Sequence, residues 1–216
     1  MSKTALLVGA TGLVGSEVLN ILLNDNSFTN VTVLCRKPLS QKYQKLKEII
    51  VDFDNLGKYK NDIVADVVFC CLGTTIKKAG SQAAFKKVDF EYPLEVAKIA
   101  KANGAVSYNV ITALGSDAHS SIFYNRVKGE LQNELMKLNF NSLHIIQPSL
   151  LIGERNETRI GEGIAQKLSP IMNSLLIGKL KKYKAIEGTQ VAKAMVHYSK
   201  ENSVGTFIHS NETLFV

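Results

Sequence analysis

The segment that most constrains this chain is a short apolar run followed by three glycines at equal spacing. Residues 5–8 are apolar without a polar break, as in a strand that is buried on both faces of a parallel sheet. Gly9, Gly12 and Gly15 follow, and residues 16–23 have the apolar spacing of a helix. A glycine turn between a strand and a helix predicts a binding site for the diphosphate of a dinucleotide.

Each of the three glycines has its own physical reason in such a turn. Gly9 lets the chain turn sharply at the strand end, Gly12 leaves room for a diphosphate to approach the backbone, and Gly15 lets the helix lie close to the sheet. The unpaired amides at the start of the helix then bind the phosphates. The alternative is a tight turn of purely structural use. The cofactor-binding residues predicted here are Gly9, Thr11, Gly12, Leu13, Val14 and Gly15.

Apolar runs of strand length alternate with helical patterns along the rest of the chain. Further strands are predicted over residues 31–35, 48–51, 65–72, 106–111, 142–147 and 206–209. Helices are predicted over residues 83–102, 123–138 and 190–200, with a break in the first of these at Pro93. The alternation predicts an α/β fold, a doubly wound parallel sheet in three αβα layers with right-handed crossovers.

The length of the chain, 216 residues, suits one domain with a sizeable core. We predict a single dinucleotide-binding domain over residues 1–216. Toward the C-terminus the alternation loosens, with a polar loop over 153–158 and a broken helix-like stretch over 161–177. Ligands of doubly wound sheets bind outside the carboxyl ends of the strands. We therefore expect residues 153–189 to form a less regular cover on the substrate side of that cleft.

The residues after the second predicted strand indicate which dinucleotide binds. An acidic residue there would bind the ribose hydroxyls of NAD, whereas a basic residue suits the extra phosphate of NADP. Arg36 and Lys37 occupy these positions, which predicts NADP(H) in preference to NAD(H), an ordinary surface pair being the alternative. Asp52 and Phe53 follow the third strand and either lie near the adenine or cap the next segment. Gly73 follows the fourth strand, where a glycine lets the backbone approach a cofactor.

A tyrosine and a lysine stand four residues apart at the start of the predicted helix over 123–138. Side chains at this spacing lie on one face of a helix, so Tyr124 and Lys128 are neighbours. An ammonium near a phenol stabilises the phenolate and helps the phenol to exchange a proton, although a surface tyrosine lying against a lysine stem is the alternative. We predict that Tyr124 gives a proton to a carbonyl oxygen as hydride arrives, while Lys128 holds the cofactor's ribose hydroxyls. Thr112, at the end of the preceding strand, is predicted to hydrogen-bond the same carbonyl oxygen.

The composition bears on the compartment in which the protein works. No apolar run reaches the roughly 18 residues of a membrane span, and the N-terminus lacks the basic and apolar regions of a signal peptide. Cys35, Cys70 and Cys71 lie at the ends of apolar runs, without the spacing of metal ligands, and are expected to be reduced thiols. These features predict a soluble, cytoplasmic protein that does not bind membranes.

The net charge of the chain is +7 and comes largely from scattered lysine clusters. Nucleic-acid binding is one interpretation of this charge, but no nucleic-acid-binding motif accompanies it. We prefer a solvated lysine-rich surface that also attracts a phosphorylated cofactor.

Taken together, these motifs resemble those of a known superfamily. The turn Gly9-x-x-Gly12-x-x-Gly15 with Tyr124-x-x-x-Lys128 resembles the short-chain dehydrogenase/reductase superfamily in an atypical, short form. More narrowly, nearly the entire chain resembles the Tat-interacting-protein-like oxidoreductases. The segments that carry this narrower resemblance are Val51-Asp-Phe, Phe69-Cys-Cys-Leu-Gly-Thr-Thr75, Lys78-Ala-Gly80, Val88-Asp89 and residues 124–130.

The resemblance implies a Rossmann fold, NADPH binding and a Ser/Thr-Tyr-Lys catalytic set. It also implies that Arg36 and Lys37 face the 2′-phosphate of the cofactor. The residues implied to line the cofactor are Leu72, Gly73, Thr74, Pro148 and Leu150, the last two beside the nicotinamide. The chain departs from the pattern at Thr112-Ala113, where relatives tend to have Ser-Ser, and at Gln147-Pro148-Ser149, where Arg-Pro-Gly is usual.

Three functions from different classes are consistent with these features. The first is an NADPH-dependent oxidoreductase that reduces a small carbonyl compound, with Tyr124 as the proton donor. The second is a regulator that senses NADP(H) and controls a protein partner with little turnover, and the third, resting on charge alone, is a nucleic-acid-binding protein. The helices around Pro93 and Tyr124 could pair between subunits, so a homodimer and a monomer are both compatible with the sequence.

Overall fold

The computed structural model describes residues 2–40, 42–153, 182–201 and 203–216. The helix-like stretch predicted over 161–177 lies outside these residues, as does most of the cover predicted over 153–189. The element labels below count the described helices and strands in chain order.

A sheet of seven strands, all parallel, forms the centre of the fold in the order β3-β2-β1-β4-β5-β6-β9. Its strands are β1 Lys3–Val8, β2 Phe28–Cys35, β3 Leu46–Ile50, β4 Val67–Cys70, β5 Ser107–Ile111, β6 Ser142–Gln147 and β9 Gly205–Ser210. Two short strands that the sequence did not predict, β7 Leu151–Ile152 and β8 Ile186–Glu187, pair separately. The order of the first six strands is that of the Rossmann fold, so the predicted fold class is confirmed.

Helices cover both faces of the sheet. They are α1 Leu13–Asn24, α2 Ile76–Ala79, α3 Gln82–Lys86, α4 Tyr92–Ala102, α5 Phe123–Lys137 and α6 Gly188–Lys200. Short 3₁₀ helices span Phe53–Tyr59 and Asn211–Thr213. Leu7 of β1 packs in a core with α1 and α6, whereas Leu6 and Val8 pack in a second core with α4 and α5. Successive side chains of a strand face opposite ways, so the alternation on β1 supplies both cores and produces the three αβα layers.

The helical break predicted at Pro93 lies in the turn before it. Residues Lys87–Glu91 form a π-helix, in which the N–H of Tyr92 donates to the carbonyl of Lys87. Pro93 has no N–H and cannot donate the bond that the carbonyl of Asp89 would accept in a regular helix, but it is accommodated in the first turn of α4. Asp89, within this π turn, is buried.

Two histidines on neighbouring strands form a polar cluster beneath α6. His144 Nδ1 lies 2.9 Å from His209 Nε2, and His144 Nε2 lies 2.8 Å from Ser142 Oγ. Burial, together with the charge of His209, lowers the pKa of His144 to about 4, and burial lowers the pKa of His209 to about 4. Both imidazoles are therefore neutral at pH 7, and protonating either one disfavours the folded chain.

We expect this pair to make the protein sensitive to acid. An imidazole whose pKa is lowered by folding makes its full contribution to folding stability above its unfolded pKa, about 6.5. That contribution is lost as the pH falls toward about 4. His209 is only half-buried, so solvent screens part of the effect. We expect protonation of the two histidines to lower the free energy of unfolding by about 1–3 kcal/mol in total. The melting temperature should then fall by several degrees, at about 2–4 °C per kcal/mol. Thermal unfolding measured from about pH 7 to about pH 4 tests this. His209→Phe retains an aromatic ring against Tyr198 and should reduce the acid dependence of Tm. His197→Gln, on the exposed side of α6, should leave it unchanged. An unchanged pH profile in His209→Phe would contradict the assignment of the acid sensitivity to the histidine pair.

Candidate active site

The turn between β1 and α1 brings strand and helix so close together that two of its glycines have no room for a side chain. Gly9 has a φ of +85°, and a Cβ there would lie 2.6 Å from the carbonyl oxygen of Cys71. A Cβ on Gly15 would overlap the carbonyl oxygen of Gly9. These two glycines are therefore required by the packing of the protein itself.

Gly12 differs from its neighbours because the protein does not crowd it. A Cβ at Gly12 would meet only the Gly9 oxygen, at 3.4 Å, and the residue is exposed. The first helical hydrogen bond of α1 runs from Ser16 N to Gly12 O at 2.9 Å, so the amides of Leu13 and Val14 precede it. Gly12, at the N-cap position, has no side chain that could accept a hydrogen bond from these amides. The open, uncapped start of α1 fits the diphosphate of a dinucleotide.

The ends of β2 and β3 lie beside this turn on the same edge of the sheet. Val8 of β1 pairs with Leu34 of β2, and Arg36 and Lys37 follow β2 as exposed residues. Asp52, after β3, accepts hydrogen bonds from the Asp54 amide at 3.0 Å and from the Asn55 side chain at 2.6 Å. The capping role left open for Asp52 is therefore present, and the half-buried ring of Phe53 packs against Tyr92 with centroids 5.4 Å apart.

The loop after β4, residues 71–74, contacts both the end of β1 and the π turn over Lys87–Glu91. The Cys71 amide donates to Val8 O at 2.9 Å, which holds the loop against the end of β1. Leu72 and Thr74 are half-buried and Gly73 is exposed. The Thr74 amide donates to Asp89 Oδ2 at 2.8 Å, so the loop also contacts the π turn.

The predicted pair Tyr124 and Lys128 lies in the first two turns of α5. Lys128 is buried, and its Nζ lies 2.8 Å from Asp89 Oδ1 in an ion pair whose side chains are 4% and 1% exposed. Burial on its own lowers the pKa of Lys128, but the Asp89 carboxylate, with smaller contributions from Tyr124 and Cys70, outweighs burial and raises the pKa. Tyr124 is half-buried, and its ring packs on Phe85 with centroids 5.6 Å apart.

A second glycine contact holds the start of α5 in place. A Cβ on Gly129 would overlap the backbone of Asp117 and Ala118. The Asp117 amide donates to Asn125 O at 3.1 Å. The loop between β5 and α5 is thus bound to the helical turn that carries Tyr124.

Thr112 is placed at the end of β5, as predicted, but its hydroxyl is engaged within the protein. It donates to Ile146 O at 3.3 Å and accepts from Gln132 Nε2 at 2.8 Å, with the residue 4% exposed. Gln132 Oε1 in turn accepts from Gln147 Nε2 at 3.3 Å. A hydroxyl has one proton, so in this geometry Thr112 joins β5, β6 and α5 and has no proton to offer a bound carbonyl compound.

The segment after β6 completes the edge. Pro148 is buried, and its carbonyl oxygen accepts from the Leu114 amide at 2.9 Å. Leu150 is exposed. The Ser149 hydroxyl donates to the carbonyl of Lys184, which connects this segment to the chain before β8.

The structure thus brings most of the predicted site residues to one edge of the sheet and adds two that lacked a predicted role. Asp89 and Gln132 are both buried, and each bonds a predicted catalytic residue. Asp89 was visible in the sequence only as part of the motif Val88-Asp89, and nothing in the spacing pointed to its partner. Within the described ranges, no group of three His, Cys, Asp or Glu side chains could hold a metal ion.

Comparison with known proteins gives a family match, matches to individual relatives and matches to solved structures. Residues 4–90 match the family described as semialdehyde dehydrogenase, NAD binding domain. The chain is 37% identical over 170 residues to Protein HTATIP2 of Rattus norvegicus, covering 77% of this chain and 70% of that protein. It is 31% identical over 202 residues to Protein FMP52, mitochondrial, of Debaryomyces hansenii, covering 92% of this chain and 88% of that protein.

A solved structure of the same fold is the Bordetella bronchiseptica enzyme WbmH in complex with NAD+. It matches with a TM-score of 0.71 and 14% identity, over 96% of this chain and 75% of that one. At this identity the likeness shows the fold alone, a doubly wound sheet of the dinucleotide-binding type. None of the helices in the described part of the chain is both long and apolar enough to span a bilayer. The predicted cytoplasmic location stays a prediction, since the FMP52 relative is named mitochondrial.

Proposed function

The chain belongs to the Tat-interacting-protein-like family of atypical short-chain dehydrogenase/reductases, which includes HTATIP2 and FMP52, and from that premise we propose that it is an NADPH-dependent oxidoreductase that reduces a small carbonyl compound. The observation that carries the proposal is the double contact of the loop over 71–74. Its Cys71 bonds the end of β1 beside the glycine turn, and its Thr74 bonds Asp89, the partner of Lys128. The diphosphate cradle and the Tyr-Lys pair therefore border one loop.

In the proposed complex, the chain's own groups hold the cofactor along the carboxyl edge of the sheet. The amides at the start of α1 bind the diphosphate, and Arg36 and Lys37 bind the 2′-phosphate. Lys128 binds the ribose hydroxyls. The remaining contacts proposed are Asp52 and Phe53 near the adenine, Leu72, Gly73 and Thr74 along the cofactor, and Pro148 and Leu150 beside the nicotinamide.

When bound, NADPH supplies the hydride. The Tyr124 hydroxyl donates a hydrogen bond to the carbonyl oxygen of the substrate and transfers its proton to that oxygen. The Lys128 ammonium, one helical turn away, stabilises the phenolate left behind. Thr112 takes no part in the proton transfer, because its hydroxyl proton is donated to the carbonyl oxygen of Ile146.

Arg36→Glu is expected to weaken NADPH binding far more than NADH binding. Arg36 is exposed just after β2, and a carboxylate there would repel the 2′-phosphate while accepting a bond from the free ribose hydroxyl of NADH. We expect at least about a tenfold larger loss for NADPH, or about 1.4 kcal/mol. Fluorescence titration of both cofactors measures this, and Lys58→Glu, an exposed lysine in the 3₁₀ helix, controls for net charge. Equal effects on the two cofactors would refute the NADP(H) assignment.

The activity itself is tested by a substrate screen. Purified protein is incubated with NADPH and a broad panel of aldehydes and ketones, and NADPH oxidation is followed by absorbance. Turnover of a small carbonyl compound supports the proposal. Failure to bind either nicotinamide dinucleotide would overturn it.

A second function is favoured by the site around β5. Thr112 is committed to Gln132 and Ile146, and the family resemblance implies a hydroxyl residue at the position of Ala113. A site with a weakened hydroxyl could bind NADP(H) and regulate a protein partner with little turnover. Tight NADPH binding without turnover across the panel would favour this regulator over the enzyme.

We also propose one domain over residues 1–216, with residues 153–189 covering the substrate side.

Nucleic-acid binding is the least favoured function. Only a salt-dependent affinity for DNA or RNA would support a nucleic-acid-binding function. The protein is proposed to act as a monomer or homodimer.

A further inference from the structure

Asp89 is given no binding or proton-transfer role in the function proposed above, yet its environment is unusual. Among the described residues, Asp89 and Lys128 are the only buried members of the four charged types Asp, Glu, Lys and Arg. A buried carboxylate is costly unless it is paired and hydrogen-bonded. Asp89 therefore needs a reason to be there.

Both carboxylate oxygens of Asp89 have partners on different parts of the candidate site. Oδ1 pairs with Lys128 Nζ at 2.8 Å, and Oδ2 accepts from the Thr74 amide at 2.8 Å. The backbone of Gly73 also lies beside the carboxylate, since a Cβ there would be in ordinary van der Waals contact with Asp89 Oδ1, at 3.6 Å. One side chain thus ties α5 to the loop over 71–74.

We infer that Asp89 is a positioning residue that keeps Lys128 protonated and holds its ammonium beside the loop over 71–74, where the cofactor's ribose would bind. The inference rests on the proposed function, since it assigns Asp89 a role through Lys128. Asp89 lies within the π turn over Lys87–Glu91, which leads directly into α4.

The electrostatics of the site make Asp89 necessary for the charge on Lys128. Burial disfavours an ammonium, and the titratable groups that act on it are the Asp89 carboxylate, the Tyr124 phenol and the Cys70 thiol. Burial raises the pKa of the Cys70 thiol, so Cys70 supplies no compensating charge at neutral pH. Without the Asp89 carboxylate, desolvation dominates and Lys128 loses its proton at a lower pH.

The test compares Asp89→Asn with wild type in NADPH affinity as a function of pH. Asparagine keeps the size of the side chain and an acceptor for Thr74, but removes the negative charge. From about pH 7.5 to about pH 9.5, we expect wild-type affinity to stay nearly constant and that of Asp89→Asn to fall at least about tenfold. Glu91→Gln removes one charge from the exposed side of the same π turn and should follow wild type. A purely structural role for Asp89 would weaken binding equally at every pH, and that result would overturn the inference.

A second readout works without any cofactor. The ¹³Cε resonance of Lys128, assigned by its loss in Lys128→Met, reports protonation of the amine directly. We expect its titration to move to lower pH in Asp89→Asn, and an unmoved titration would overturn the inference. If wild-type protein binds neither dinucleotide, the proposed function fails, while this titration still decides whether Asp89 holds the charge on Lys128.

If Asp89→Asn fails to fold, the double variant Asp89→Asn/Lys128→Met still tests the pairing. An unpaired buried ammonium is destabilising, and Lys128→Met removes it. Recovery of folding in Asp89→Asn/Lys128→Met supports the pairing. Continued failure to fold would assign Asp89 a structural role independent of Lys128 and overturn the inference.

Discussion

Gly12→Ala is expected to weaken NADPH binding at least about tenfold, or about 1.4 kcal/mol, while hardly changing folding stability. Gly12 has φ −81° and ψ 169°, a conformation that alanine adopts freely. Its Cβ would meet only the Gly9 oxygen, at 3.4 Å, so we expect a change in the free energy of unfolding within about 0.5 kcal/mol. The added methyl group would instead occupy the space into which a diphosphate approaches the start of α1. Denaturant unfolding and fluorescence titration measure the two effects.

Gly15→Ala is the matched variant in the same turn and should behave in the opposite way. Its Cβ would overlap the Gly9 oxygen and lie 2.8 Å from the Gly9 carbonyl carbon and 3.2 Å from Ala10 Cα. These neighbours are backbone atoms at the end of a buried strand and cannot move aside as a flexible side chain would. We expect destabilisation of about 3 kcal/mol or more, or failure to fold. If Gly12→Ala were as destabilising as Gly15→Ala, or bound NADPH as tightly as wild type, the glycine turn would be structural only.

Tyr124→Phe is expected to lower turnover by between about a hundredfold and about ten-thousandfold, the contribution typical of a positioned acid. The ring should be retained, because Tyr124 packs on Phe85 with centroids 5.6 Å apart. Only the hydroxyl and its proton are removed. We therefore expect NADPH affinity within about twofold of wild type, a difference of about 0.4 kcal/mol.

The measurement is kcat and KM on the carbonyl compound found in the screen, with NADPH affinity measured in parallel. Tyr198→Phe is the control, since it removes a phenol hydroxyl that donates to Thr213 O at 2.6 Å. Tyr198 packs in the core with α1 and α6, on the face of the sheet opposite to α5. Full turnover in Tyr124→Phe would exclude Tyr124 as the proton donor.

Much of the fold could be predicted because its signals are local. The strand predicted over 65–72 contains β4 Val67–Cys70, because strands of a parallel sheet are continuous apolar runs. Residues 142–147 were also predicted as a strand and are observed as β6 Ser142–Gln147. The helix predicted over 123–138 is α5, one residue shorter. The pairing of β7 with β8 was missed, since two-residue strands separated by a long segment carry no periodic signal.

The helix predicted over 83–102 shows where local reasoning becomes imprecise. Proline indicated a break at residue 93, yet Pro93 fits the first turn of α4 and the irregularity is the π turn over Lys87–Glu91. A proline shows that one hydrogen bond is missing. How the chain absorbs the missing bond depends on what packs against it, and here Asp89 is buried against Lys128.

The sequence by itself determined the features that arise within a few residues of one another: the glycine spacing of the first turn, the strand and helix periods, and the placement of Tyr124 and Lys128 on one helix face. Only the tertiary structure decided that Lys128 pairs with Asp89 and that the Thr112 hydroxyl is bound by Gln132. The physical reason is that periodicity orients a side chain relative to its own helix or strand. The partner it meets, and hence the charge or proton it can offer, depends on distant segments that packing brings together.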